Sequence, residues 1–387
     1  MKSLNENFYS VVSLKSEELY KRFARHKMSY EMMLKNSFPL PDKDDPDKIV
    51  LSENVFSQAA NQPTQICRCG KTLNVLEDNW YIDEGGCNYH LGKMIFTGPE
   101  RGVYSCCKTC SRGCAFNEHH VISRRPFDSR NFRRPEDTKT EKNNQAANIF
   151  SIDCEMAFTT KGLEVVKVSL TSVGGDVIFD SYVQPNNDIL DYNTAFSGVR
   201  EENLRGVAIT LREVQNRLLQ LLNKNSILVG HGVENDLRAL NIVHENVIDT
   251  SCVFPHERGS HLKHSLKYLA EVYLQKVIHD GFNGHDSVED AQTCMELMLW
   301  KIYSETRSFK TNPMVIKTVS TGHSSNYVLM PQIPTELAPP PAFFIPSFAF
   351  INVTMVQPVI PFLVPTMSIT SNFNPRMPQQ QWWPRNM

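Results

Sequence analysis

Between residues 148 and 305 the chain alternates apolar runs with amphipathic ones, and the first of those runs carries two acids within it. The stretch Phe150-Ser151-Ile152-Asp153-Cys154-Glu155-Met156, with Asn148-Ile149 before it and Ala157-Phe158 after, is apolar enough to form a buried strand. Strand side chains alternate between faces, so Asp153 and Glu155 leave the same face about 6 to 7 Å apart. Two carboxylates side by side repel. A divalent cation between them relieves the repulsion, and magnesium or manganese is the usual occupant of an all-oxygen site. The competing reading is a solvated face of an amphipathic strand, and the rest of the chain has to decide between them.

Residues 163–171 and 177–183 alternate apolar and polar around Val173-Gly174-Gly175-Asp176, the composition of a hairpin turn. Residues 211–222 form an amphipathic helical pattern with Val214, Leu218, Leu221 and Leu222 on one face, and 226–229 suit a buried parallel strand. A helix over about 233–240, a strand at 247–249 and helices over about 262–274 and 287–303 follow. The pattern predicts an α/β unit over 148–306, a mixed five-stranded sheet with helices on both faces.

With 387 residues the chain has room for two or three domains, and 40 Lys plus Arg against 42 Asp plus Glu exclude a uniformly basic nucleic-acid binder. Nucleic-acid contacts must then be local. The start lacks an apolar leader and no run of 18 apolar residues occurs, so the expectation is a soluble, non-secreted protein with no membrane partner. Residues 14–37 read as one helix, a packing element ended by Phe38-Pro39-Leu40-Pro41, with 41–48 as an acidic linker. Residues 123–147 read as a second linker. Its Arg124, Arg125, Arg130, Arg133, Arg134, Lys139 and Lys142, with Phe127 and Phe132, fit a nuclear-import patch or a phosphate-contacting arm as well as a solvated connection. Residues 307–387 read as a Pro-rich, disordered tail ending near Trp382-Trp383, a candidate site for a protein partner.

Of ten cysteines, seven fall between Cys67 and Cys114, a clustering that suggests metal rather than disulfides. Cys67, Cys69, Cys87, His90, Cys106, Cys107, Cys114 and His120 make eight ligands, enough for two closed tetrahedral zinc sites over residues 49–122. Cys87-x-x-His90 has the spacing of one chelating turn, and the neighbours Cys106 and Cys107 are expected to serve different ions. Cys110 and His119 are then spare or substitutes. Closed sites leave no position for substrate, so the module is expected to be structural or adhesive, holding RNA or a protein partner. The order of these residues resembles the CHORD module, which binds two zinc ions, although Cys67 and Cys69 stand closer together than in that pattern.

Two more acidic segments follow. Gly230-His231-Gly232-Val233-Glu234-Asn235-Asp236 leaves a buried strand, which brings Asp236 to the carboxyl edge of the sheet. Gly284-His285-Asp286-Ser287-Val288-Glu289-Asp290 opens the last helix, where Ser287 and Asp290 alone would also fit a capping box. Asp-x-Glu on a strand, an Asp after a later strand and His-x4-Asp opening a late helix resemble the DEDDh class of 3′–5′ exonucleases. Asp153-Cys154-Glu155-Met156, Asp191-Tyr192-Asn193-Thr194, Phe196-Ser197-Gly198-Val199, Ile248-Asp249-Thr250 and Phe254-Pro255-His256 resemble the RNA exonuclease 1 (Rex or GOR) branch of that class.

The resemblance implies a ribonuclease H-like fold and hydrolysis of RNA from single-stranded 3′ ends to 5′-mononucleotides, in the nucleus or cytoplasm. It implies two Mg2+ or Mn2+ ions, with Asp153 shared, Glu155 and Asp290 completing one site and Asp236 serving the other, and His285 as general base. Met156 is a candidate for contact with the terminal base, with a core methionine as the equal alternative. His231 is expected to orient its turn, while His256, His261, His264 and His279 are unassigned surface candidates. An inactive RNA-binding scaffold on the same fold, or an exonuclease acting on DNA, remain open.

Overall fold

The computed structural model describes residues 8–51, 64–74, 85–92, 94–96, 102–108, 113–122, 128–136, 148–257, 259, 262–279 and 284–311. The central sheet is built on β1 (Ile149–Thr159), with β2 (Gly162–Ser172), β3 (Val177–Tyr182), β4 (Ile189–Asp191), β5 (Ile227–Gly230) and β6 (Val247–Asp249). The order is β3-β2-β1-β5-β6, and β4 pairs with β1 off that path. β2 is antiparallel to β1 and to β3, whereas β5 is parallel to both β1 and β6.

The sheet therefore has six strands where the pattern predicts five. β1 is eleven residues long, but β5 pairs with it only as far as Ser151. The far end of β1 would otherwise expose an unpaired backbone edge, and Ile189–Asp191 covers it opposite Phe158 and Thr159. A three-residue strand carries too short a pattern to be read from sequence.

Strand alternation divides the core. Phe150, Ile152, Cys154 and Leu228 pack with Val214, Leu218, Leu237 and Leu240, which come from the helices Leu211–Leu221 and Glu234–Leu240. Ile149, Ile227, Val229 and Ile248 turn to the other face and meet Leu266, Leu269, Met295 and Leu299. Asp153 and Glu155 share the parity of Ile149, so they point toward the helix Ser287–Thr311.

Several connections differ from the sequence expectation. The helix read over 14–37 is two helices, Ser16–Ala24 and Tyr30–Lys35. Between them the Met28 N–H donates to Val247 O at 2.9 Å, which ties this backbone to β6, and the Ser29 hydroxyl caps the second helix. Leu19 and Phe23 enter one core layer and Met28 and Met33 the other, so this segment packs on the sheet. The linker read over 41–48 is the loop of a small antiparallel pair, Leu40–Pro41 with Ile49–Val50. In the basic connection, Arg133 exchanges backbone hydrogen bonds with Asn241 and Val243, which docks that stretch on the α/β unit; Arg124, Arg125, Phe127, Lys139 and Lys142 lie outside the described residues, as does the Pro-rich tail. Among the described residues no helix is long and apolar enough to cross a membrane.

Candidate active site and metal centres

The carboxyl edge of the parallel strands gathers the acidic residues. One carboxylate oxygen each from Asp153, Glu155 and Asp290 lies within 4.8 Å of the others. Asp153 and Glu155 arrive on β1, and Asp290 arrives on the first turn of Ser287–Thr311, which packs against β1. Asp236 stands outside this trio, buried in Glu234–Leu240, with the Cys154 backbone hydrogen-bonded to its carboxyl. Its charge is nonetheless the largest acting on Asp153.

The helix start explains why Asp290 is free to join. Asp286, rather than Asp290, caps the helix by accepting from Val288 N at 3.0 Å. Ser287 hydrogen-bonds Ser169 of β2 at 2.6 Å, so the capping-box reading of Ser287 and Asp290 does not hold.

Burial pushes the Asp153 carboxyl well above the usual carboxylate range, and Asp236, Asp290 and Glu155 push it further. Glu155 is raised the same way, by burial first and then by Asp290. Lys167 opposes both, standing opposite Glu155 across the β1–β2 ladder and 3.1 Å from Asp286. Glu155 Oε1 is buried and has no hydrogen-bond partner. An unpartnered carboxylate oxygen beside two more carboxylates is a site short of positive charge, and its all-oxygen donor set suits a hard divalent cation.

His285 lies at the rim of this group, its Nδ1 3.7 Å from Asp290 Oδ2. Its backbone N–H donates to Phe196 O at 2.7 Å, and the Phe196 ring meets it edge-on at 6.4 Å. Gly284 precedes it at φ +80°, so close to Thr194 and Gly198 that a Cβ would lie 2.3 Å from Gly198 N; only glycine fits there. Burial, then His279, hold the His285 imidazole down to about 4, so at neutral pH it is unprotonated and able to accept a proton.

Sequence reasoning missed two neighbours of the site, His279 and Lys167. His279, taken as a surface histidine, is stacked on His285 at 3.8 Å and bonds Asp290 Oδ1 at 2.6 Å. His256 and His264 are also not loose surface residues, being stacked on each other at 4.5 Å; His261 lies outside the described residues. Lys167 was hidden by a bulge: counting outward from the Thr160-Lys161 turn pairs Glu155 with Val166, and the bulge shifts that pairing by one. His231 bonds Thr250 at 2.9 Å and orients its turn, with no place among the carboxylates. Met156 does not reach them either. It is 8 % exposed and packed in the layer on the opposite face, a core position.

Eight Cys and His residues form two further groups. Cys67, Cys69, Cys87 and His120 place one donor each within 4.8 Å of one another, and so do His90, Cys106, Cys107 and Cys114. Cys67 and Cys87 sulfurs are 3.5 Å apart, as are those of Cys106 and Cys114, close to the roughly 3.7 Å edge of a tetrahedron with zinc–sulfur bonds of about 2.3 Å. Both sets therefore fit a closed zinc site. The partition differs from expectation twice. Cys106 and Cys107 fall in one set, because they sit on a turn after the strand Gly102–Tyr104, where neighbours need not face apart. Cys87 and His90 fall in different sets, with Cys87 opening the strand Cys87–Tyr89 and His90 standing just past its end. His119 belongs to neither set, and Cys110 lies outside the described residues.

Residues 150–298 match the exonuclease family RNase_T. The chain is 34% identical over 308 residues to human "RNA exonuclease 1 homolog", an alignment covering 77% of this chain and 25% of that protein. It is 35% identical to chimpanzee "Exonuclease GOR" over 300 residues, 76% of this chain and 43% of that protein. With "RNA exonuclease 1" of Saccharomyces cerevisiae it shares 43% over 157 residues, 40% of this chain and 28% of that one. The chain thus matches between a quarter and under half of the length of these relatives.

Proposed function

We propose that this chain, whose residues 150–298 match the RNase_T exonuclease family and fit its DEDDh class, removes nucleotides from the 3′ ends of single-stranded RNA and releases 5′-mononucleotides. The observation that carries the reading is the convergence of Asp153, Glu155 and Asp290 around an unpartnered buried oxygen, with Asp236 behind them. Such a group is unfavourable in a folded protein unless positive charge joins it.

Asp153, Glu155 and Asp290 would hold one magnesium or manganese ion, and Asp153 with Asp236 a second. Bound there, the ions supply charge neutralisation for the attacking and departing oxygens of the phosphodiester. The chain's own groups do the rest. His285, neutral at physiological pH, takes the proton of the attacking water. His279 backs the His285 ring and spans to Asp290, which restricts the angle at which the imidazole faces the carboxylates. In this reading the two Cys and His sets hold structural zinc, one ion each, and have no open position for chemistry.

The test uses single-stranded RNA and DNA labelled at either end, with wild type and Asp153→Ala, with and without magnesium. Stepwise loss from the 3′ end that needs both the metal and Asp153 is the expected result. Tight RNA binding without shortening in any metal would replace it with a scaffold role. Equal shortening of DNA would widen the substrate, since only the 2′-hydroxyl separates the two.

A further inference from the structure

Arg68 stands between Cys67 and Cys69 in the sequence, and yet its charged side chain is only 2% exposed. Its guanidinium carbon lies 3.4 Å from the centre of the Tyr89 ring and 5.1 Å from that of the Phe158 ring of β1. It is paired with the carboxylate of Asp191, the last residue of β4. A structural knuckle does not need an arginine, and burying its charge is unfavourable unless the partner is well placed. The same contact is reinforced by Leu190, which packs with Cys67, Leu73, Cys87 and Ile122.

What Asp191 does with its other oxygen gives the pair a role. Asp191 Oδ1 accepts from Asn193 N at 2.7 Å, and Asn193 sits in the left-handed region at φ 55°, opening a tight turn. Asn193 O then accepts from Phe196 N at 2.8 Å and Ser197 N at 2.9 Å. Phe196 O accepts from His285 N, and the Phe196 ring borders the His285 imidazole. Gly284 is wedged against Thr194 and Gly198 of the same turn. An unbroken series of short contacts therefore runs from the first Cys and His set to the histidine beside the carboxylates.

We propose that Arg68 is a positioning residue: by clamping Asp191 it sets the 191–198 turn that seats His285, and so makes the Cys and His block part of the nuclease centre. The proposal rests on the exonuclease reading for its kinetic consequence, but not for the coupling itself. Arg68 touches neither substrate nor the reacting atoms, so its loss acts on the rate step rather than on RNA binding.

The experiment measures kcat and KM on labelled single-stranded RNA, zinc content, and the side-chain NMR resonances of His285 assigned by His285→Gln, in full-length wild type, Arg68→Ala, Arg68→Lys and Asp191→Asn. Arg68→Ala and Asp191→Asn are expected to lower kcat about tenfold or more with KM within twofold, to shift the His285 resonances and to keep both zinc ions, and the double variant is expected to be no worse than either single one. Arg68→Lys, which keeps the charge, is expected to recover part of the loss. A merely structural role would lower kcat only in step with folded fraction and leave the His285 resonances of the folded fraction in place. Unchanged resonances in every variant overturn the proposal whatever the activity. If wild type shortens no nucleic acid, the exonuclease reading fails by itself, and a shift of His285 in Arg68→Ala still supports the coupling. Should Arg68→Ala not fold, Asp191→Asn carries the same comparison.

Discussion

The Cys and His block and the carboxylate centre are two ways of building a polar cluster, and they differ in where the ligands come from. In the block, eight donors within 54 residues of chain fall into two four-membered sets, each from short strands and turns. In the carboxylate centre, Asp153 and Asp290 are 137 positions apart and are brought together by the parity of one strand and the docking of one helix. The block has soft donors and a closed tally of four, whereas the centre has hard oxygens and an open rim with a histidine. Local chelation suits a structural ion. Assembly from distant segments suits chemistry, because the sheet's core holds the geometry rigid while one side stays accessible.

The comparison breaks first at Asp153. If the centre is catalytic, Asp153→Asn removes the carboxylate shared between the ions and lowers 3′-end shortening by about a thousandfold or more, measured by single-turnover cleavage of labelled RNA. The same substitution is expected to leave the folded protein intact or stabilise it, since it removes one of several repelling buried carboxylates. Greater resistance to urea together with lost activity is the signature.

Next comes metal removal. Atomic absorption on purified protein is expected to find two zinc ions per chain, falling to one in Cys107→Ser. A zinc chelator is expected to unfold the block, because structural zinc contributes about 10 kcal/mol or more in small sites, while the α/β unit keeps its far-ultraviolet signal. One zinc in wild type would collapse the two-set partition.

Acid separates the regions in another way. His244 is buried, its Nε2 2.8 Å from Ser226 O, and burial lowers it from 6.5 to about 4. Between those values the unfolded chain binds the proton and the folded one does not, so the stability is present above about pH 6.5 and is lost as pH falls toward 4. The loss from this one group amounts to about 3 kcal/mol and is expected to shrink in His244→Gln, read by urea unfolding at pH 7 and pH 4.5 in metal-stripped protein. The smallest effect is at the N-terminal segment. Ser29→Ala removes the cap that accepts from Met32 N and should cost about 1 kcal/mol with no change in kcat, which tests whether that segment only packs.

What the sequence by itself determined was the chemistry and its order: an acidic pair on a buried strand, a later Asp at a strand end, a His and Asp at a helix start, and eight thiol or imidazole donors. Those follow from residue type and periodicity, which are local. The tertiary structure decided who meets whom. The bulge in β2 brought Lys167 opposite Glu155, the capping role of Asp286 released Asp290, and tertiary packing laid His279 on His285. A short strand ending at Tyr89 separated Cys87 from His90, and a turn joined Cys106 to Cys107. Each of these depends on a register or a one-residue shift, and spacing along a chain leaves such shifts undetermined because they are set by packing between segments far apart in sequence.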